Sequence, residues 1–307
     1  MTEKILKNPA ASIRARLFNH AKATGASFEN VLTRYAIERL LYRLSQTGAA
    51  ERYVLKGAML FVTWPEHAFR PTGDLDLLGE GDPGPDAIAA LFARICHVEV
   101  PEDGVVFDPE TLKIEAVREE DRYQGVQISL KAGLDRAVIH VQVDIGFGDH
   151  VFPAPTRQTF PALLAGLPQA RLLMYPPETV VAEKFEAMIR FGEANGRIKD
   201  FYDIWVTTRT FAFDLASLTE AVGGTLQRRG TAVPADTPAG LTDEFGTSER
   251  SAGLWTGFLR RSPPTLQPPA FPALLVELRR FFGPVIISLG APEGVRGRWD
   301  PDQAAWR

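Results

Sequence analysis

The stretch "RPTGDLDLLG", residues 70–79, decides the fold. It sets two aspartates one residue apart, Asp74 and Asp76, behind a proline and a glycine and at the start of an apolar run. Side chains alternate along a strand, so residues i and i+2 leave the same face. If residues 75–79 form a strand, the two carboxylates emerge together. Like charges that close repel, and a cation between them offsets the cost. The spacing therefore points to a divalent metal site on the face of a sheet. Asp-x-Asp alone is a common chance pairing, and a solvated loop after Gly73 explains it at least as well. The reading depends on what else the chain supplies.

Three further stretches bear on it. In "VQVDIGFGDH", residues 141–150, Val141, Val143 and Ile145 alternate with Gln142 and Asp144. That places a carboxylate in an apolar strand, where it is costly unless paired or bound to a metal. Gly146 and Gly148 let the backbone turn, and Asp149 reads as a cap of that turn. In "LKGAML", residues 55–60, a glycine stands between an expected strand and helix. Backbone N–H groups exposed there suit a phosphate, with Lys56 beside them, although a plain tight turn reads equally well. In "EKFEAMIRFGEANGRIKDFYD", residues 183–203, an Asn-Gly turn joins two helical patterns. Asp200 and Asp203 share a face at i,i+3 spacing and can fold back toward Lys184, whereas a surface salt-bridge ladder is the plainer alternative.

The bulk numbers narrow the class. The chain has 307 residues, 45% apolar and 23% charged, an ordinary globular balance with room for two domains. A net charge of −4 means that any polyanion must be held by a local patch. Arg228-Arg229, Arg260-Arg261 and Arg279-Arg280 are candidates for such a patch. The one cysteine, Cys96, excludes an internal disulfide and fits a reducing cytoplasm. The first residues lack the apolar core of a signal peptide, and no segment approaches membrane-spanning length. The five histidines show no ligand spacing, and Cys96 on an apolar helix end is a poor nucleophile.

Periodicity predicts two N-terminal helices, one capped by Ser12 and ended by Gly25, the next opened by Ser27 and closed by Gly48. A strand, the Lys56-Gly57 turn, the Asp-x-Asp strand and a helix over "PDAIAALFARIC" follow. From residue 105 the period becomes two, giving an antiparallel meander of three strands with turns at "EED" and "GLD". Helices return at "PETVVAEKFEAMIRFG" and "RIKDFYDIWVTTRT", then a loop-rich stretch beyond residue 230, then a helix over "FPALLVELRRFFG". The fold class expected is α+β, with a mixed sheet and N-terminal helices over 1–175 and a helical domain over 176–307.

The pieces "LKGAMLF", "RPTGDLDLL", "VDIGFGD", "YPPETVVAEKFEAMIRFG" and "NGRIKDFYDIW", in this order, resemble the AbiEii/AbiGii nucleotidyltransferase toxin family. That family belongs to the polymerase-beta-like nucleotidyltransferases, and the resemblance spans roughly residues 50–210. It implies that Asp74, Asp76 and Asp144 bind two Mg²⁺ ions. It implies nucleoside triphosphate contacts from Lys56, Gly57, Thr72 and Lys184, a late essential aspartate at Asp200, and Asp203 as the alternative. Gly57-Ala58 departs from the superfamily's Gly-Gly or Gly-Ser pair, which puts one phosphate contact in doubt.

The activity implied is transfer of a nucleotide to an RNA acceptor, such as a tRNA 3′ end, which stops translation in an abortive-infection setting. A cognate antitoxin is implied too. Such antitoxins often repress transcription, so contact with this chain does not follow. Two other readings stay open: a two-metal nuclease, since clustered carboxylates also serve phosphodiester hydrolysis, and a catalytically silent nucleotide-binding regulator. Tyr202 and Trp205 offer rings that could stack on a base, although core packing is the plainer role for Trp205.

Overall fold

A computed structural model describes residues 8–64, 72–81, 83–119, 123–291 and 296–307. Arg70 and Pro71 of the opening stretch, and most of the "EED" turn, lie outside the described residues. The described chain divides into two compact units. The first holds residues 8–63, 72–148 and 157–174; the second takes Trp64, residues 149–156 and everything from 175 onward.

In the first unit α1 (Pro9–Thr24) and α2 (Phe28–Ser45) lead into β1 (Tyr53–Lys56). Asn8, not Ser12, caps α1: its Oδ1 accepts the Ala11 amide at 3.0 Å, and Pro9 follows at the first helical position, where no N–H is needed. Gly25 ends the helix in the left-handed region, as expected. After β1 a short 3-10 turn covers Gly57–Thr63. Then come β2 (Asp74–Gly79), α3 (Pro85–Cys96), β3 (Val105–Glu119), β4 (Tyr123–Leu134), β5 (Ala137–Phe147), β6 (Thr156–Phe160) and β7 (Ala170–Met174).

The seven strands form one sheet in the order β3-β4-β5-β2-β1-β7-β6. The meander β3-β4-β5 is antiparallel as expected, β2 joins β5 in parallel, and β1 lies antiparallel to β2 and parallel to β7. The mixed α+β class holds. β6 and β7 lack the alternating pattern that reveals the meander, and periodicity does not predict them. Along β2 and along β5 as far as Ile145 burial alternates: Leu75, Leu77, Val141, Val143 and Ile145 are buried on one face, where α2 packs on β5 and β7. Each such side chain contributes about 1.5–3 kcal/mol. The same alternation sends Asp74, Asp76, Gln142 and Asp144 to the other face.

In the second unit α4 (Pro177–Phe191), α5 (Ile198–Thr210), β8 (Phe213–Asp214), α6 (Leu215–Arg229), α7 (Asp243–Thr247), α8 (Glu249–Arg261) and α9 (Phe271–Gly290) precede β9 (Arg298–Asp300) and β10 (Ala305–Trp306). An aromatic core joins them. Phe185 stacks on Phe282 at 3.9 Å, and Phe281 meets Phe213, Trp299 and Trp306. Tyr202 is fully buried and donates its hydroxyl to the Leu266 carbonyl, and the Trp205 indole donates to Glu277. Both are core residues, which removes the base-stacking role considered for them.

Candidate functional site

Gly57 shows why this local sequence is needed. Its φ is +69°, a left-handed value that costs a side-chain-bearing residue about 1–2 kcal/mol. A Cβ there would lie 1.9 Å from Asp76 Oδ2. The backbone at the end of β1 thus runs directly under the Asp76 carboxylate. Gly57→Ala is expected to destabilise the chain by about 2–4 kcal/mol in urea denaturation, combining strained φ with collision. In an Asp76→Gly background, which also removes the Cβ that would lie 2.7 Å away, the cost should shrink to about 1–2 kcal/mol, the φ part alone. An equal cost in both backgrounds would show that the carboxylate is not what demands glycine.

Register assembles the polar face. Lys56 lies opposite Asp76, Asp76 beside Asp144, and Asp144 opposite Gln127, so one row crosses β1, β2, β5 and β4. Cross-strand partners share a face. A second row sets Asp74 beside Gln142, with Ser129 next. Thr72, half-buried, stands two residues before β2. His140 is on the same face but exposed, next to Lys131.

Both oxygens of Asp144 accept side-chain amides, Oδ1 from Gln127 Nε2 at 2.9 Å and Oδ2 from Gln142 Nε2 at 3.0 Å. Among the described residues no three His, Cys, Asp or Glu side chains converge into a ready-made metal cage. The expected three-carboxylate set is therefore present as neighbours on one face, not as a closed cluster. The donors nevertheless fit Mg²⁺. That ion takes one or two carboxylates and fills its octahedron with water and phosphate oxygens. Each Asp144 oxygen, having accepted one hydrogen bond, keeps a lone pair.

The second unit brings together the residues expected around Lys184. Its Nζ donates to Asp200 Oδ1 at 2.7 Å and to Asp203 Oδ2 at 2.9 Å, and Arg197 Nε donates to Asp200 Oδ2 at 2.6 Å. Both aspartates are almost wholly buried, so this is no surface ladder. Burial pushes the Asp200 carboxyl up, but the Lys184 ammonium and Arg197 guanidinium outweigh it and hold its pKa at about 2.

A folded-state value below the unfolded one stabilises the fold in full above the unfolded pKa of 3.8, and the contribution is lost as pH falls toward 2. It amounts to about 2 kcal/mol. Between about pH 5 and pH 2 the wild type should lose about that much more stability than Asp200→Asn in denaturant titrations. Parallel stability curves for the two proteins would contradict the assignment.

One hub escaped the sequence reading. Arg229 reaches Glu186 at 2.9 Å, Asp149 at 3.2 Å and Glu183 at 3.5 Å, and the Tyr175 hydroxyl lies within donating distance of both Asp149 and Glu183, at 3.3 and 3.2 Å. Asp149 therefore serves an ion cluster. Burial alone would lower the Arg229 pKa, but the surrounding carboxylates raise it well above the usual range. Arg279 is likewise engaged, with Asp243 and the Leu241 carbonyl. Two of the three arginine pairs thus each have a member committed to internal ion pairs, so they do not form a simple phosphate-binding stripe.

No helix among the described residues is long and apolar enough to cross a membrane. Residues 39–277 match the model of a family described as "Nucleotidyl transferase AbiEii toxin, Type IV TA system". Among solved structures, the chain is similar to JHP933 from Helicobacter pylori, with a TM-score of 0.44 and 10% identity over 87% of this chain and 99% of that one. A second H. pylori protein, described provisionally as a nucleotidyltransferase, gives a TM-score of 0.43 and 11% identity over the same shares. No curated protein matches the chain.

Proposed function

Because this chain belongs to the AbiEii nucleotidyl transferase toxin family of type IV toxin–antitoxin systems, we propose that it transfers a nucleoside monophosphate from a nucleoside triphosphate to an RNA acceptor. A tRNA 3′ end is the first acceptor to test, and arrest of translation the expected consequence. The observation that carries the reading is the row Lys56–Asp76–Asp144, with Asp74 one pleat away.

Asp74, Asp76 and Asp144 are assigned to hold Mg²⁺. When bound there, such an ion polarises phosphate oxygens and lowers the pKa of the attacking hydroxyl. Gly57 keeps the backbone close beneath Asp76, and N–H groups of the following turn are assigned to phosphate oxygens. Lys56 adds positive charge beside the carboxylates. Thr72 is assigned a hydrogen bond to the nucleotide. Lys184 is assigned to phosphate charge. Asp200 and Asp203 orient its ammonium. In the reaction, the acceptor hydroxyl gives up its proton to water as its oxygen bonds to the α-phosphorus, the bond from that phosphorus to the bridging oxygen breaks, and pyrophosphate leaves with that oxygen. The antitoxin partner follows from the family.

Incubation with total RNA and each triphosphate in turn tests the proposal. Lengthening of an RNA by one or more nucleotides, with release of pyrophosphate and arrest by a chelator, is the expected result. Shortening of the RNA would establish hydrolysis instead. Mg²⁺-dependent triphosphate binding with no product on any acceptor would establish a regulator.

A further inference from the structure

We infer that Gln127 and Gln142 are positioning residues that clamp Asp144 for metal binding, an inference that rests on the carboxylate face being the metal site proposed above. The two amides reach Asp144 from different strands. Gln127 stands opposite it on β4, and Gln142 precedes it by two residues on β5, on the same face. A carboxylate only accepts, so each glutamine must turn its NH₂ group to Asp144 and its carbonyl oxygen away. The two bonds, at 2.9 and 3.0 Å, engage both oxygens and so fix both side-chain torsions of Asp144.

A carboxylate held in one rotamer loses less freedom when it takes up a cation. Neutral donors do this without placing a competing positive charge beside the ligand. A lysine or arginine in either position would neutralise Asp144 and repel the ion. Gln142 also lies directly beside Asp74, so the clamp sits between the two carboxylates nearest it on β5 and β2. Partners of this kind behind a metal ligand typically change affinity by about 10–100-fold.

The test uses the full chain and Mn²⁺ alone, with free Mn²⁺ read from its electron paramagnetic resonance signal. Gln127→Met and Gln142→Met keep volume and remove the donors. Gln127→Asn and Gln142→Asn keep the amide but withdraw it by one carbon, and serve if the methionine variants do not fold. Each single variant should weaken Mn²⁺ binding about 10-fold, and the double variant more, with thermal unfolding moved little. Asp144→Asn should weaken binding at least as much as the double variant.

If the wild type and Asp144→Asn differ but the glutamine variants bind Mn²⁺ like the wild type, the clamp is overturned and the metal site stands. If the glutamine variants lower the unfolding temperature and leave Mn²⁺ affinity unchanged, the amides are structural and the inference falls. If the wild type binds no Mn²⁺, or Asp144→Asn binds as well as the wild type, the metal assignment itself fails and the clamp with it.

Discussion

Asp74→Ala is expected to leave the chain folded and to lower nucleotide transfer by roughly 10³-fold or more, the loss of several kcal/mol of transition-state stabilisation. The fold should survive because β2 is held by Leu75 and Leu77 in the core and by its backbone ladders to β1 and β5, none of which uses the Asp74 side chain. Removing one of several neighbouring carboxylates relieves repulsion, so stability should change by no more than about 1 kcal/mol. Transfer of label from a radioactive triphosphate to RNA measures the first effect, and a urea melt the second. A folded variant that transfers at the wild-type rate would remove Asp74 from the chemistry.

Arg229→Met is expected to have the largest effect on stability, about 3–5 kcal/mol. The substitution keeps much of the apolar stem but removes the cation shared by Asp149, Glu183 and Glu186. Glu186 is fully buried and Asp149 nearly so, at 0% and 2% side-chain exposure. Carboxylates gathered there without that guanidinium repel one another in a poorly hydrated space. A fall in melting temperature of roughly 10 °C at neutral pH is the measurement. Arg229→Lys keeps the charge but not the planar fork, and should fall between the two. A loss below about 1 kcal/mol for Arg229→Met would reduce the hub to an ordinary surface ion pair.

Much of this was legible in the sequence where the signal is local. The alternation around Asp74 and Asp76, the period-two meander and the i,i+3 pair Asp200 and Asp203 are patterns within a few residues. What was missed depends on register or on distant partners. The Gln127–Asp144 pairing could have been counted: "LDRA" closes a two-residue hairpin between Leu134 and Ala137, and seven positions out on each strand lie Gln127 and Asp144.

The parallel join of β2 to β5 has no such local rule, since an entire hairpin intervenes. Helix α6 was hidden by Gly223 and Gly224, which lower helix propensity. Gly224 is explained by its neighbour: a Cβ there would lie 2.2 Å from His150 Nε2. The N-cap was misplaced because Ser12 and Asn8 both suit the role, and Pro9 favours the earlier one.

The route of the chain has a practical corollary for dissecting this protein. Residues 149–156 belong with the later unit although the earlier unit resumes after them. There Asp149 bonds to Arg229, and the Phe152 amide donates to the Thr179 hydroxyl. No single scission can yield two self-sufficient halves. A fragment stopped at residue 174 would carry those eight residues away from the helices that complete them, so expression of either portion should be planned as a graft and not as a truncation.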